Sequence, residues 1–422
     1  MSILRLVLVL SLVVCAGCQT PETGIGDLGL GPWRGRPHLD PAEEARMSPD
    51  AHAIAQRQWN AEVLQHWRMD GAELVNDGEG AFLTTERSFG DAEFEFDYRT
   101  VALADSGIYL RGNPQVQIWD TTESGGKWHL GADKGSGGLW NNQRHLRTPL
   151  IKADRPFGEW NQLKIRQAGA CTWVWLNGQL TVDGVPMENY FAPKLPLPRT
   201  GPLQLQTHGG EIRFRNFRMR EVGMEEADQW LRAAEGSGFQ EIPLDKELSA
   251  FDGAKDAVEA DGQVLRWRAG KGGNLYTKSR HGDFSLRFEF RLPPGGNNGI
   301  LLRYPGAGDG AYAGFCECQV LDDGHPMYKD LQPWQAHGSA YGIVPAARGY
   351  LRPTGTWNHE CITLRGKHLT VTLNGTIILD ADVDKPLHDQ AHPGLALTEG
   401  HIGFGGHGDA VEFRNLAVKD LR

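Results

Sequence analysis

In the C-terminal half of the chain, Gly282 to Arg291 (GDFSLRFEFR) leads through Asn297 to Arg303 (NNGILLR) to Glu317 to Asp322 (ECQVLD). The N-terminal half repeats the order as Gly90 to Arg99 (GDAEFEFDYR), Asp105 to Arg111 (DSGIYLR) and Gln115 to Asp120 (QVQIWD). Within each copy apolar and polar residues alternate with period two, the signature of a strand with one buried face. Further matches keep the same order: Trp160-Asn161 with Trp357-Asn358, the turn Asn177-Gly178 with Asn374-Gly375, and Phe214-Arg215-Asn216 with Phe413-Arg414-Asn415. The offset is 192 at Gly107/Gly299, 202 at Gln117/Gln319 and 197 at Asn177/Asn374, so the copies differ by loop insertions. A period near 200 is too long for a solenoid and means tandem domains.

Many short alternating strands, Asn-Gly hairpin turns and 54 glycines predict an all-β fold of two antiparallel sandwiches. Length supports two cores, since 422 residues exceed what one core holds. The expected boundaries are a leader at 1–18, a tether with short helices at 19–66, a first domain at 67–222, a helical linker at 223–239 and a second domain at 240–422. The formal charge of −10, with acids and bases interspersed, argues against nucleic acid.

In the leader, Arg5 precedes an apolar run, Leu6 to Val14, too short to span a bilayer. The run ends in Cys15-Ala16-Gly17-Cys18, which resembles a bacterial lipoprotein signal, although Cys15 stands where Leu is usual. The resemblance implies lipidation of Cys18 and a membrane-anchored protein of the bacterial cell envelope, facing the periplasm or the cell surface. The alternative is a cleaved signal that leaves a soluble periplasmic protein. Cys171, Cys316, Cys318 and Cys361 have no CxxC spacing and read as buried free thiols.

The chemistry-bearing residues concentrate in the second copy. Glu317 and Gln319 share one strand face while Cys318 and Val320 take the other, so an acid and an amide face a groove. The strand runs into Asp322 and His325, followed by His337 and Tyr341, which offers acids, bases and donors together. The alternative is an exposed polar strand and turn. Arg303 and Arg111 could bind an oxyanion or a sugar hydroxyl, or pair with a carboxylate to hold the sheet. His407 and His208 stand in glycine-rich turns of both copies. Glu93-Phe94-Glu95-Phe96-Asp97 is answered by Arg287-Phe288-Glu289-Phe290-Arg291, so the charge at the outward positions is not held and a solvated face explains the acids better than catalysis.

Together, Asn/Ser-Gly-Ile-x-x-Arg, Glu-x-Gln-x-x-Asp-x-x-His-Pro, Gly-x-x-Tyr-Gly, Trp-Asn, Leu-Asn-Gly and Phe-Arg-Asn resemble the 3-keto-disaccharide hydrolase family over about 67–222 and 240–422. The resemblance implies concanavalin A-like jelly rolls and cleavage of glycosides already oxidised to a ketone at sugar carbon 3. Such a ketone acidifies the proton at carbon 2, so a base can remove it and expel the group on carbon 1, with water added afterwards. That route needs a base, an enolate stabiliser and an acid, not two carboxylates around an oxocarbenium ion. The expected roles are Glu317 or His325 as base, Arg303 and Gln319 at the oxyanion, and Tyr341 or His407 for orientation or proton donation, with Asp322 alongside. A divalent metal could replace one stabiliser.

The first copy departs from the pattern: Gln115 stands at the place of Glu317, and nothing matches His325 and Pro326. Its candidate binding residues are Arg111, Gln115, Gln117, Trp119, Asp120, Trp140, Glu188 and His208, with His337 from the second copy. It is either a second site or a sugar binder through Trp119 and Trp140. The competing readings for the whole chain are a non-catalytic carbohydrate-binding lipoprotein and a laminarinase-like glycosidase. The latter expects Glu-x-Asp-x-x-Glu, which neither copy contains.

Overall fold

The computed structural model describes residues 23–387 and 391–421; the leader and Cys18 lie outside the described residues. Each half is a jelly-roll sandwich of two antiparallel sheets. In the first, a five-stranded sheet orders the strands 33–36, 82–89, 201–205, 105–109 and 115–119, and a seven-stranded sheet packs behind it. The second repeats this with 251–253, 272–277, 401–407, 297–304 and 316–321 in the five-stranded sheet.

The period-two pattern fixes which side of each strand is buried. Phe284, Phe288, Phe290, Phe404 and Phe413 fill the second core, and Phe94, Phe96, Leu163, Ile165 and Phe214 the first. Each fully buried Phe contributes about 1.5–3 kcal/mol. The turns repeat in detail: Asn177 and Asn374 adopt φ of 51° and 49°, and each side-chain oxygen accepts a backbone N–H, from Gln162 at 2.9 Å and His359 at 3.0 Å. The outward acids Glu93, Glu95 and Asp97 pair with Lys164, Arg166 and Arg215 on the outer face. The four described cysteines are free.

Two segments differ from simple linkers. Residues 23–40, expected as a flexible tether, pack on the first domain: Ile25, Leu30 and Trp33 join its core and 33–36 is an edge strand. The tether expectation failed because three apolar side chains are spaced among the Gly and Pro residues. Helices α1 (Pro41–Ala45) and α2 (Pro49–His66) follow, and Asn60 of α2 accepts the Gly35 N–H at 2.8 Å.

Helix α3 (Met224–Ala234) lies between the sandwiches, with Ala227 and Leu231 against Trp173 of the first. On the second it places Asp228 in a two-bond pair with Arg352 at 2.8 and 2.7 Å, both side chains buried. Nearby, Arg199 donates to the Leu351 carbonyl at 2.9 Å and Tyr350 to that of Leu197 at 3.1 Å, so the two halves are joined directly. Removing one member of a buried ion pair leaves the other uncompensated. Asp228→Ala is therefore expected to destabilise the fold by about 3–5 kcal/mol, seen as a lower unfolding midpoint in a denaturant titration.

Candidate functional site

The inner sheet of the second domain carries a cleft of about 290 Å³, lined by Asn274, Asn297, Leu301, Asp309, Tyr312, Glu317, Gln319, Tyr341, Gly405, Gly406 and His407. Strand register explains the lining. Leu301 stands opposite Glu317 and Gly403, Gly299 opposite Gln319 and Gly405, and Gly405 opposite Asn274, so alternate residues of four strands face one side. The centre of that floor is glycine. A Cβ on Gly299 would lie 1.7 Å from Glu317 Oε1, so the Glu317 carboxyl occupies the space a side chain there would need.

Glu317 is only 5% exposed, and its Oε1 has no hydrogen-bond partner. The nearest basic side chain is His407, whose Nε2 lies 3.9 Å from that oxygen. Unpartnered buried carboxylate oxygens are costly, and one aimed into a cleft is free for a proton. The Glu317 carboxylate raises the His407 pKa above its ordinary value, while partial burial opposes this. The raised value means that the folded state favours the imidazolium; this contribution is present at low pH and fades as pH rises through the folded pKa. In Glu317→Gln the His407 ring is expected to titrate at lower pH than in the wild type, measured by NMR of the imidazole protons.

Other groups surround this pair. Gln319 Nε2 donates to Asn297 Oδ1 at 2.8 Å. The Tyr341 hydroxyl oxygen accepts from Gln335 Nε2 at 3.2 Å, which leaves its own hydrogen available to an incoming oxygen. Tyr341 is held by its N–H donating to the Glu317 carbonyl at 2.9 Å. The short helix α4 (Gly310–Ala313), capped by Asp309, brings Tyr312 to the rim with its ring 6.4 Å from that of Tyr341. Among the described residues no three His, Cys, Asp or Glu side chains converge on one point.

Glu317, Gln319, Tyr341 and His407 thus come together, while four expected neighbours do not. Arg303 sits in the left-handed region at φ 48°, beside a register shift between Leu301 and Tyr304, which turns its side chain out of the alternation. It is buried and donates to the carbonyls of Gly282, Gly366 and Leu397 and to Asp283, a pin between loops. Asp322 accepts the Gly295 N–H at 2.9 Å and shapes a turn past the cleft. His325 caps a short 3-10 turn, accepting from the Met327 N–H at 3.3 Å, and lines a different groove with Asp322 and Arg199. His337 lies between the sheets, its ring tilted against that of Phe290, with Nε2 3.1 Å from Glu360 and Nδ1 accepting from the Leu321 N–H.

In the first domain Gln115, Gln117 and His208 line the inner face, but several other expected contacts are already committed. Arg111, at φ 54°, donates to the Pro198 carbonyl and pairs with Asp91; burial lowers its pKa to about 10. Asp120 accepts from Thr122 in its own loop and from the Leu103 N–H in the loop before strand 105–109. Glu188 clamps the N–H groups of Gln143, Arg144 and His145. Trp119 donates to the Gly135 carbonyl and is 6% exposed, so it offers no flat platform; the ring of Trp140 beside it is covered by Arg147 at 3.6 Å.

Sequence reasoning missed Asn274, Asn297, Leu301, Asp309 and Tyr312. The signal for Tyr312 was present: the offset between copies jumps by ten residues between Gly299 and Gln319, which is the insertion that forms α4. Asn297 and Leu301 follow from alternation around Gly299.

A Bacteroides thetaiotaomicron protein named 3-keto-disaccharide hydrolase is 29% identical over 247 residues, 45% of this chain and 84% of its own. Among solved structures, a candidate glycosyl hydrolase from Parabacteroides distasonis is 25% identical, covering 44% of this chain and 100% of that one, with a TM-score of 0.39. A second from the same organism is 20% identical, covering 46% and 97%, with a TM-score of 0.40. The profile of the 3-keto-alpha-glucoside-1,2-lyase-like domain matches twice, at residues 53–220 and 238–419, and the chain therefore belongs to that family.

Proposed function

We propose that the second-domain cleft cleaves 3-keto-glycosides or 3-keto-disaccharides by elimination followed by hydration. The observation that carries this reading is the buried Glu317 Oε1, unpartnered in a glycine-floored cleft beside His407. Glu317 takes the carbon 2 proton, and the electron pair moves into a carbon 2–carbon 3 enolate whose oxygen takes hydrogen bonds from Tyr341 and the Gln319/Asn297 amides. As the ketone reforms, the carbon 1–oxygen bond breaks and His407 gives its proton to the leaving oxygen. Water then adds across the carbon 1–carbon 2 double bond, placing hydroxyl on carbon 1 and hydrogen on carbon 2.

The glycine floor suits a pyranose, which needs close approach to the sheet, and Tyr312 and Tyr341 supply apolar walls. The test compares oxidised and unoxidised disaccharides with purified protein, watching for released sugar. Release from the 3-keto form alone is expected; binding without release, with or without added divalent metal, would move the assignment to a lectin. Anchoring through Cys18 in the cell envelope is part of this proposal. It is expected to show as acyl chains on protein recovered from cells, and protein that washes free of membranes without them would remove it.

A further inference from the structure

The inner face of the first domain repeats the floor of the cleft with one charge removed. Gln115 stands opposite Tyr109, as Glu317 stands opposite Leu301. A Cβ on Gly107 would lie 2.1 Å from Gln115 Oε1 and 3.0 Å from Gln206 Oε1, so two amide oxygens converge above one glycine. Gln115 and Gln206 are 4% and 7% exposed, and neither oxygen has a hydrogen-bond partner.

The bonds around Gln115 fix which end is free. Gln117 Nε2 points at three acceptors: Asp105 Oδ1 at 2.8 Å, the Ser106 carbonyl at 3.1 Å and the Ile118 carbonyl at 3.2 Å. Its Oε1 must therefore accept, and it does so from Gln115 Nε2 at 2.7 Å. The Gln115 carbonyl is left facing the floor. Asp105 is in turn held by Lys127 and by His208 at 2.8 Å.

The segment after the edge strand 33–36 lies over this face. His38 packs its ring among Phe82, Tyr109, Tyr190 and Phe191, with centroids 5.9, 5.2, 5.1 and 5.0 Å away. Arg36 beneath it is fully buried, paired with Glu44, and reaches Gln204 Oε1 at 3.3 Å.

We infer that the first domain holds a second, non-catalytic site for a neutral saccharide, in which the Gln115 and Gln206 carbonyls accept hydroxyl hydrogens and the arm bearing His38 is the lid. Two free acceptors beside Phe82 and Tyr109 match a sugar, which presents hydroxyl donors around an apolar ring face. Gln115 cannot take a proton as Glu317 can, so the site binds without cleaving. The inference extends the saccharide reading of the second domain, but its readout is binding.

The test is calorimetric titration of the full chain with trehalose, sucrose and lactose, whose lack of a ketone keeps turnover out of the measurement. His38→Ala, which opens the lid, is expected to tighten binding of at least one of them by several-fold. Gln206→Leu on that background is expected to weaken the same site about tenfold, the equivalent of one hydrogen bond. Its thermal midpoint should be equal or higher, because an unpaired buried carbonyl has been removed. Identical isotherms for the two proteins would overturn the inference and assign the carbonyls to a trapped water only. Absence of binding in His38→Ala would overturn it as well. Both outcomes are independent of whether the second domain releases sugar from 3-keto substrates.

Discussion

Glu317→Gln is expected to lower kcat/KM on a 3-keto-disaccharide by about 10²–10⁴-fold, the range that a positioned base supplies. The change keeps shape and removes charge. Because the wild-type Oε1 is buried without a partner, the variant should fold as well as the wild type and lose none of the contacts that position the strand. Gln115 shows that an amide fits this floor, since it occupies the matching position above Gly107 in the first domain. Steady-state kinetics with a thermal melt on the same sample separate the two effects. Full activity in Glu317→Gln would move the chemistry out of the second-domain cleft.

A comparable loss is expected from Gly299→Ala, which removes no chemical group. The new methyl would sit 1.7 Å from Glu317 Oε1, 2.4 Å from its Cδ and 2.6 Å from its Cγ, an overlap relieved only when the Glu317 side chain swings its carboxyl away. That carboxyl is the end of a flexible side chain, so the cost to folding is small and the cost to chemistry large. A misplacement of about 1 Å can cost about 10²-fold in rate. The melt should stay near that of the wild type while kcat falls, and the His407 ring should titrate differently once its partner has moved. Wild-type kcat in this variant would show that the carboxyl does not act from its observed position.

Much of the fold was legible because the repeat supplied a second reading of every strand. Period-two alternation placed Cys318 and Val320 in the core and Glu317 and Gln319 on the opposite face, and both Asn-Gly turns formed as local chemistry dictates. The site was legible where alternation holds and illegible where the backbone departs from it. Arg303 lies in the neighbouring strand 297–304, yet its left-handed φ sends the guanidinium to loop carbonyls. A positive φ on an arginine, unlike one on the Asn of an Asn-Gly turn, has no sequence signal of its own. His325 and Asp322 lie close to Glu317 in sequence, but the strand is extended, so each residue adds about 3.3 Å of distance from the cleft.

The first domain fails differently. Trp119, Asp120 and Glu188 are residue types that bind sugars, and here each is spent on loops of the same domain. Which loop a side chain serves depends on long-range packing that composition does not encode. The arm over the first domain was likewise hidden, since Gly and Pro predict a tether while Ile25, Leu30 and Trp33 bind it down.

The most direct measurement is the fate of a deuterium at carbon 2 of a 3-keto-disaccharide, followed through a single turnover against an enzyme-free control. Elimination driven by Glu317 must break that bond, so the wild type should release sugar more slowly than from the unlabelled substrate and return it with hydrogen at carbon 2. Release at an equal rate with the deuterium retained would contradict the account and point to direct cleavage at carbon 1.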